Sequence, residues 1–176
     1  TLTLQAETQG AALTVWPEAA YPYPLDHIAR RAPTGNRAIL ADGVRGPVLF
    51  GLITRARPVS VDGFIEQNSY NSATLVSPNG MLRPSYDKLQ LLWFGEMVPG
   101  GAYFPALRRI FQKSGGLIPG EKPVALHLDP ERDARAGHKP ATALHMGILN
   151  CYEDTLTGVG RQIVRALQPN LLVNVT

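Results

Sequence analysis

This sequence of 176 residues is short of several things. It holds one cysteine, Cys151, so no disulfide can form within the chain. The four histidines (His27, His127, His138, His145) do not fall at zinc-ligand spacing, and a single thiol cannot complete such a set. No run of about 18 apolar residues is present, which excludes a transmembrane helix within these residues. No signal peptide opens the chain, and no internal repeat suggests a solenoid or propeller. Charged residues are only 18% of the chain, too few for a coiled coil or a charge-rich disordered segment. The 17 basic and 14 acidic residues leave a net charge of +3. The basic residues occur in small knots with no aromatic-interleaved stripe, which argues against nucleic acid as a partner.

What is present is one domain's worth of apolar sequence, 44% of the residues, punctuated by 17 glycines and 15 prolines. Residues 11–15 read as a buried strand ending at Trp16-Pro17. Pro22, Pro24 and Pro33 keep the next stretch irregular, with a short helix over 26–31 capped by Asp26. Residues 47–55 are rich in strand formers. Residues 69–76 and 81–86 flank Ser77-Pro78-Asn79-Gly80, a strong hairpin signal. Apolar spacing predicts helices over 103–113 and 157–168, and strands over 123–128, 143–149 and 170–176. Alternating strands and helices, with near-continuously apolar late strands, predict a layered α/β fold. The chain starts without an initiator Met and stops in a strand, so we expect it to be cut from a longer protein.

Three apolar runs each stop just before a side chain capable of chemistry. They deliver Glu18 after Trp16-Pro17, Lys88 after Tyr86-Asp87, and Cys151 after Leu149-Asn150. Strand ends hold side chains rigidly, and open α/β folds build sites there. A carboxylate can take a thiol's proton as the sulfur attacks a carbonyl. An ammonium group, helped by a backbone N–H such as that of Tyr152, can stabilise the oxyanion that forms. A thioester would result, making the reaction acyl transfer or amide hydrolysis. A nucleophile in this role has to sit on a strained turn rather than in mid-strand. Simpler readings exist for each residue. Cys151 could be a buried apolar filler, or could pair with His145 or His27. Glu18 could start a helix, and Lys88 could form a surface pair with Asp87.

These segments resemble the nitrilase, or carbon–nitrogen hydrolase, superfamily. Residues 15–22 (VWPEAAYP), 86–100 (YDKLQLLWFGEMVPG) and 149–154 (LNCYED) are similar to its motifs around a catalytic Glu, Lys and Cys, in that chain order. Within the superfamily the Tyr-Asp-Lys, Phe-Gly-Glu and Cys-Tyr-Glu triplets are most similar to the apolipoprotein N-acyltransferase family, although Trp93 stands where that family usually has proline. The resemblance implies a nitrilase-type α-β-β-α sandwich, truncated at both ends. It implies Glu18 as general base, Lys88 as oxyanion stabiliser and Cys151 as nucleophile. Glu96, Tyr152 and Glu153 would support them, and Trp93, Phe94, Met97, Tyr103 and Phe104 would form an apolar, lipid-facing rim. The implied reaction moves an acyl group from a phospholipid to the N-terminal amine of an apolipoprotein acceptor. No metal or other cofactor is required. The resemblance also implies a bacterial inner-membrane location, with the catalytic domain on the periplasmic side and the membrane reached through segments outside this chain. Two alternatives stay open: a soluble nitrilase-like amidase with water as acceptor, and an inactive lipid- or protein-binding fragment of the same fold.

Overall fold

The computed structural model describes residues 1–61, 64–97, 116–135 and 137–176. The helix expected over 103–113, with Tyr103 and Phe104, lies outside the described residues.

A five-stranded sheet is built around two long antiparallel neighbours, β3 (Val48–Arg55) and β6 (Ser69–Val76), paired residue for residue from Val48↔Val76 to Arg55↔Ser69. Between β3 and β6 in the chain, β4 (Val59–Val61) and β5 (Phe64–Glu66) pair as a separate antiparallel ribbon, and short β7 (Tyr86–Asp87) continues the main sheet beyond β6. On the other side of β3 lie β1 (Thr14–Val15) and β2 (Tyr21–Asp26), both parallel to it. They behave as two halves of one interrupted edge strand, β1 beside Val48-Leu49 and β2 beside Leu52 to Arg55. The stretch expected to be irregular is therefore a strand. Pro22 and Pro24 cannot donate to a ladder and are tolerated because β2 is an edge. No helix follows over 26–31: the Asp26 carboxylate instead accepts the N–H of Ile28 at 3.0 Å, closing a turn. The expected hairpin is present, with Gly80 at φ +76° and Ser77 N–H bonded to Met81 O at 2.9 Å.

A second sheet has β9 (Leu144–Asn150) at its centre, antiparallel to β8 (Leu126–Leu128) and parallel to β10 (Leu171–Val175). Strand alternation explains how the layers meet. Leu49, Ala73, Leu75 and Tyr86 of the first sheet share one core with Leu126, Leu128, Met146, Ile148 and Val175 of the second. Val48, Phe50, Leu52 and Val76 point the other way, into a core with Tyr21, Ile39, Val44 and Leu82. Helix α1 (Leu2–Thr8) opens the chain. Helix α2 (Thr157–Leu167) packs Ile163 onto Gly147 of β9, where a Cβ would lie 2.7 Å from the Ile163 side chain. No described helix is long and apolar enough to cross a membrane.

Candidate active site

The break between β1 and β2 delivers Glu18. Trp16 N–H still bonds Leu49 O at 2.8 Å, and then the chain lifts and crosses over β3 at Gly51. A Cβ on Gly51 would stand 2.6 Å from Pro17 O and Ala19 N and 2.7 Å from the Glu18 Cα. Only glycine permits that crossing. We expect Gly51→Ala to displace the Glu18 loop and slow any reaction in which Glu18 moves a proton by about 10²-fold or more. The rate of modification of Cys151, compared with a thermal melt of the same variant, checks this.

Lys88 leaves the end of β7 on the face that looks between the sheets, and Asp87 turns to the opposite face. Asp87 therefore does not pair with Lys88 on the surface. It accepts from Ser72 Oγ at 2.6 Å and meets His27 Nε2 at 2.7 Å. Lys88 is 2% exposed. Its Nζ lies 3.0 Å from Glu18 Oε1 and 3.0 Å from Glu96 Oε2. Burial pulls the Lys88 pKa down, but the hydrogen bonds and charges of Glu96 and Glu18 outweigh it, so the ammonium is held above the ordinary lysine range. For Glu18, burial pushes the pKa up. Hydrogen bonds from Asn71, Lys88 and Cys151, with the Lys88 charge, more than reverse this and hold the carboxyl below its ordinary value. Lys88 and Asn71 thus converge on Glu18, and the Cys151 thiol stands close enough to lower its pKa.

Cys151 begins a short 3-10 turn (Cys151–Thr155) directly after β9. It is half-buried and has φ +56°, a left-handed conformation that costs a side-chain-bearing residue roughly 1–2 kcal/mol. This matches the strained strand-to-turn position expected from the sequence. Neither histidine once considered as its partner is placed as one: His27 is bonded to Asp87, and His145 stacks on His127 with ring centroids 4.4 Å apart.

Glu153 is completely buried and acts through the backbone rather than on Lys88 Nζ. One carboxylate oxygen accepts the N–H groups of Leu89 (2.7 Å) and Gln90 (2.9 Å), the two residues after Lys88. The other accepts Tyr86 Oη–H (2.7 Å) and Asn150 N–H (2.9 Å). One side chain thereby clamps the segment carrying Lys88 to the segment carrying Cys151. Burial, with the Glu153 charge and hydrogen bond, pushes the Tyr86 pKa far up, so its hydroxyl remains a donor. Tyr152 places its ring 5.3 Å from Lys88 Nζ and donates its hydroxyl to Leu91 O at 3.1 Å.

Glu96 sits on a tight turn over 92–97. Its carboxylate accepts Leu92 N–H at 2.8 Å as well as facing Lys88. The same turn exposes apolar side chains: Leu92, Trp93 (69% exposed) and Phe94. Met97 pairs with Trp93 at the turn's neck. Absent from the sequence reading is Asn71, on β6. Its Nδ2 donates to Glu18 Oε1 at 2.6 Å and to Glu96 Oε1 at 2.5 Å. A signal for it existed: Asn71 shares the inward face of β6 with Ala73 and Leu75, and a buried polar residue on an apolar face needs partners. Among the described residues no group of three or more His, Cys, Asp or Glu side chains could hold a metal ion.

This chemistry has relatives. A family described as carbon-nitrogen hydrolase matches residues 1–174. The apolipoprotein N-acyltransferase of Chlorobaculum tepidum is 27% identical over 165 residues, covering 87% of this chain and 29% of its own length. That of Geobacter metallireducens is 30% identical over 165 residues, covering 93% and 27%. The chain thus spans less than a third of the length of these curated relatives. Among solved structures, a mutant of the amidase from Nesterenkonia sp. AN1, with acrylamide added at its active site cysteine, is similar with a TM-score of 0.53 at 18% identity. That similarity covers 99% of this chain and 57% of the amidase, and shows a shared fold, the nitrilase-type α/β sandwich. With its two facing sheets and a family match running nearly end to end, the chain belongs to the carbon–nitrogen hydrolase family.

Proposed function

We propose that this chain carries the active site of an apolipoprotein N-acyltransferase. Cys151 attacks the acyl ester of a phospholipid while Glu18 takes the thiol proton. The oxyanion forms beside Lys88 and the backbone N–H of Tyr152. Collapse releases the lysophospholipid, and Glu18 returns the proton to the departing oxygen. The N-terminal amine of a lipoprotein then attacks the thioester, and the thiol is regenerated as the amide forms. On this reading the domain works on the periplasmic side of the bacterial inner membrane, with phospholipid as donor and apolipoprotein as acceptor.

The observation that carries the reading is the turn over 92–97. It presents Leu92, Trp93 and Phe94 to the outside, while its Glu96 reaches inward to Lys88. An exposed apolar cluster on the turn whose Glu96 reaches Lys88 suits a donor with long hydrocarbon chains better than a small amide. The names of the curated relatives support the same assignment.

The test is intact-mass spectrometry of the complete protein after incubation with phospholipid vesicles. We expect an acyl adduct that hydroxylamine removes and that Cys151→Ala does not form. Glu18→Gln should slow its appearance by about 10²–10⁴-fold. Ammonia release from small amides, with no lipid adduct, would move the assignment to the amidase. Neither result in the folded protein would leave the binding-fragment reading.

A further inference from the structure

We infer that Asn71 is a positioning residue of this site: its single side-chain amide holds both carboxylates in place and ties them to the strand that carries the nucleophile. The inference rests on the proposed role of Glu18 as the thiol's base.

Asn71 is 4% exposed and lies on the inward face of β6. Every hydrogen-bonding group it offers toward the site is used. The two Nδ2 hydrogens go to Glu18 Oε1 and Glu96 Oε1. Its Oδ1 accepts Asn150 Nδ2–H at 3.0 Å, and its main-chain carbonyl accepts Lys88 N–H at 2.8 Å. Two carboxylates so close favour protonation of one of them, because like charges in one site oppose ionisation. Lys88 supplies one positive charge against two negative ones. Asn71 supplies the missing donors without adding charge, because a primary amide carries two divergent N–H donors and an acceptor on one neutral side chain.

The other half of the amide works across the sandwich. Glu18 and Lys88 are carried by the first sheet and Cys151 by the second. Asn71 belongs to the first sheet and Asn150, the residue before Cys151, ends β9 of the second. The Asn71–Asn150 bond thus fixes how far the base stands from the sulfur. Serine at position 71 could not span these partners. Aspartate would keep the shape but turn both donors into a third negative charge.

Asn71→Ser and the isosteric Asn71→Asp test this in the complete protein. The readout is the rate of Cys151 alkylation by chloroacetamide at pH 5 and pH 7, followed by intact mass. In the unaltered protein, where Glu18 stays ionised and takes the thiol proton during attack, the two rates should agree within about twofold. Both variants should react about tenfold more slowly at pH 7 and should lose further rate between pH 7 and pH 5 as Glu18 becomes protonated, Asn71→Asp, which adds a like charge, more than Asn71→Ser. Thr74→Val is the structural control. It deletes a hydroxyl on the same strand that donates to Arg83 O at 2.7 Å, and should leave the pH 5 to pH 7 ratio unchanged. An equal loss at both pH values in the Asn71 variants, or no loss, overturns the inference. Phospholipid acylation measured in parallel separates the two ideas. If the unaltered protein is alkylated with the expected profile but never acylated, the function fails and Asn71 keeps its role. If it is acylated and the Asn71 variants show no change of profile, Asn71 loses its role and the function stands.

Discussion

Lys88→Met should slow acylation of Cys151 by about 10²–10³-fold, the usual worth of one preorganised donor to an oxyanion. The loss should also deepen at acid pH, for a reason visible in the geometry. Glu18 and Glu96 both lean on Nζ, and with methionine there they face each other with only Asn71 between them. The Glu18 pKa, now held below the ordinary carboxylate value, would rise, and the base would be protonated at a higher pH. Stability follows the same linkage. Glu18 has a depressed folded pKa, so its contribution is present above its unfolded value of about 4.3 and is lost as pH falls through the folded pKa. Lys88 has a raised folded pKa, so its contribution is present below about 10.4 and is lost as pH rises through the folded pKa. Lys88→Met should remove the Lys88 share of the alkaline dependence, leaving that of the buried Tyr86, and shift the Glu18 share of the acid dependence upward. Adduct kinetics and thermal melts across pH measure both. An unaltered acid limb in the variant would show that Lys88 does not set the state of Glu18.

Glu153→Ala should have the largest effect on stability, on the order of 3–5 kcal/mol. The argument is one of orphaned donors. The N–H groups of Leu89, Gln90 and Asn150 and the Tyr86 hydroxyl all end on this one carboxylate. Each buried donor left without a partner costs roughly 1–3 kcal/mol, although relaxation and entering water reduce the sum. A domain of ordinary stability, about 5–15 kcal/mol, would lose a large part of it. Glu153→Gln should recover only some of the loss, because its NH2 group would face two N–H or O–H donors where an oxygen now stands. Urea unfolding monitored by fluorescence gives the comparison. A change under about 1 kcal/mol for Glu153→Ala would mean that the segments on either side of the clamp hold their positions independently.

The three candidate positions, Glu18, Lys88 and Cys151, could be picked out because each follows an apolar run, and a strand end is a local property of sequence. That Cys151 sits on a strained turn was legible from the change between apolar residues 143–149 and polar Glu153-Asp154; its left-handed conformation is what the fold adds. What escaped depends on contacts distant in the chain. β2 was hidden by its prolines, since its pairing with β3 cannot be inferred from residues 21–26 alone. Asp26 had the chemistry of a helix cap and used it on a turn instead. Gly51, inside an otherwise apolar run, marked a close approach, but the identity of the crossing chain, the Glu18 loop, is fixed only by the fold. Asn71 looked like one polar residue in an alternating strand; its meaning depends on Glu18, 53 residues before it, and Asn150, 79 residues after.

The clamp made by Glu153 also bears on when the thiol becomes competent. Glu18 lies 70 residues before Lys88, and Glu153 lies 64 residues after Leu89, whose N–H it receives. Contacts of such sequence separation form slowly, because a long loop must close before any of them repays its entropy. A chain with only its local turns and helices formed has a cysteine but neither the Glu18 carboxylate nor the Lys88 ammonium near it. Such a thiol has no neighbouring carboxylate to take its proton as it attacks. On the proposed mechanism, reactivity therefore arrives with these long-range contacts, and a nascent or partly unfolded copy is a poor acceptor for stray acyl groups. The rate of Cys151 modification is accordingly a chemical clock for completion of the fold.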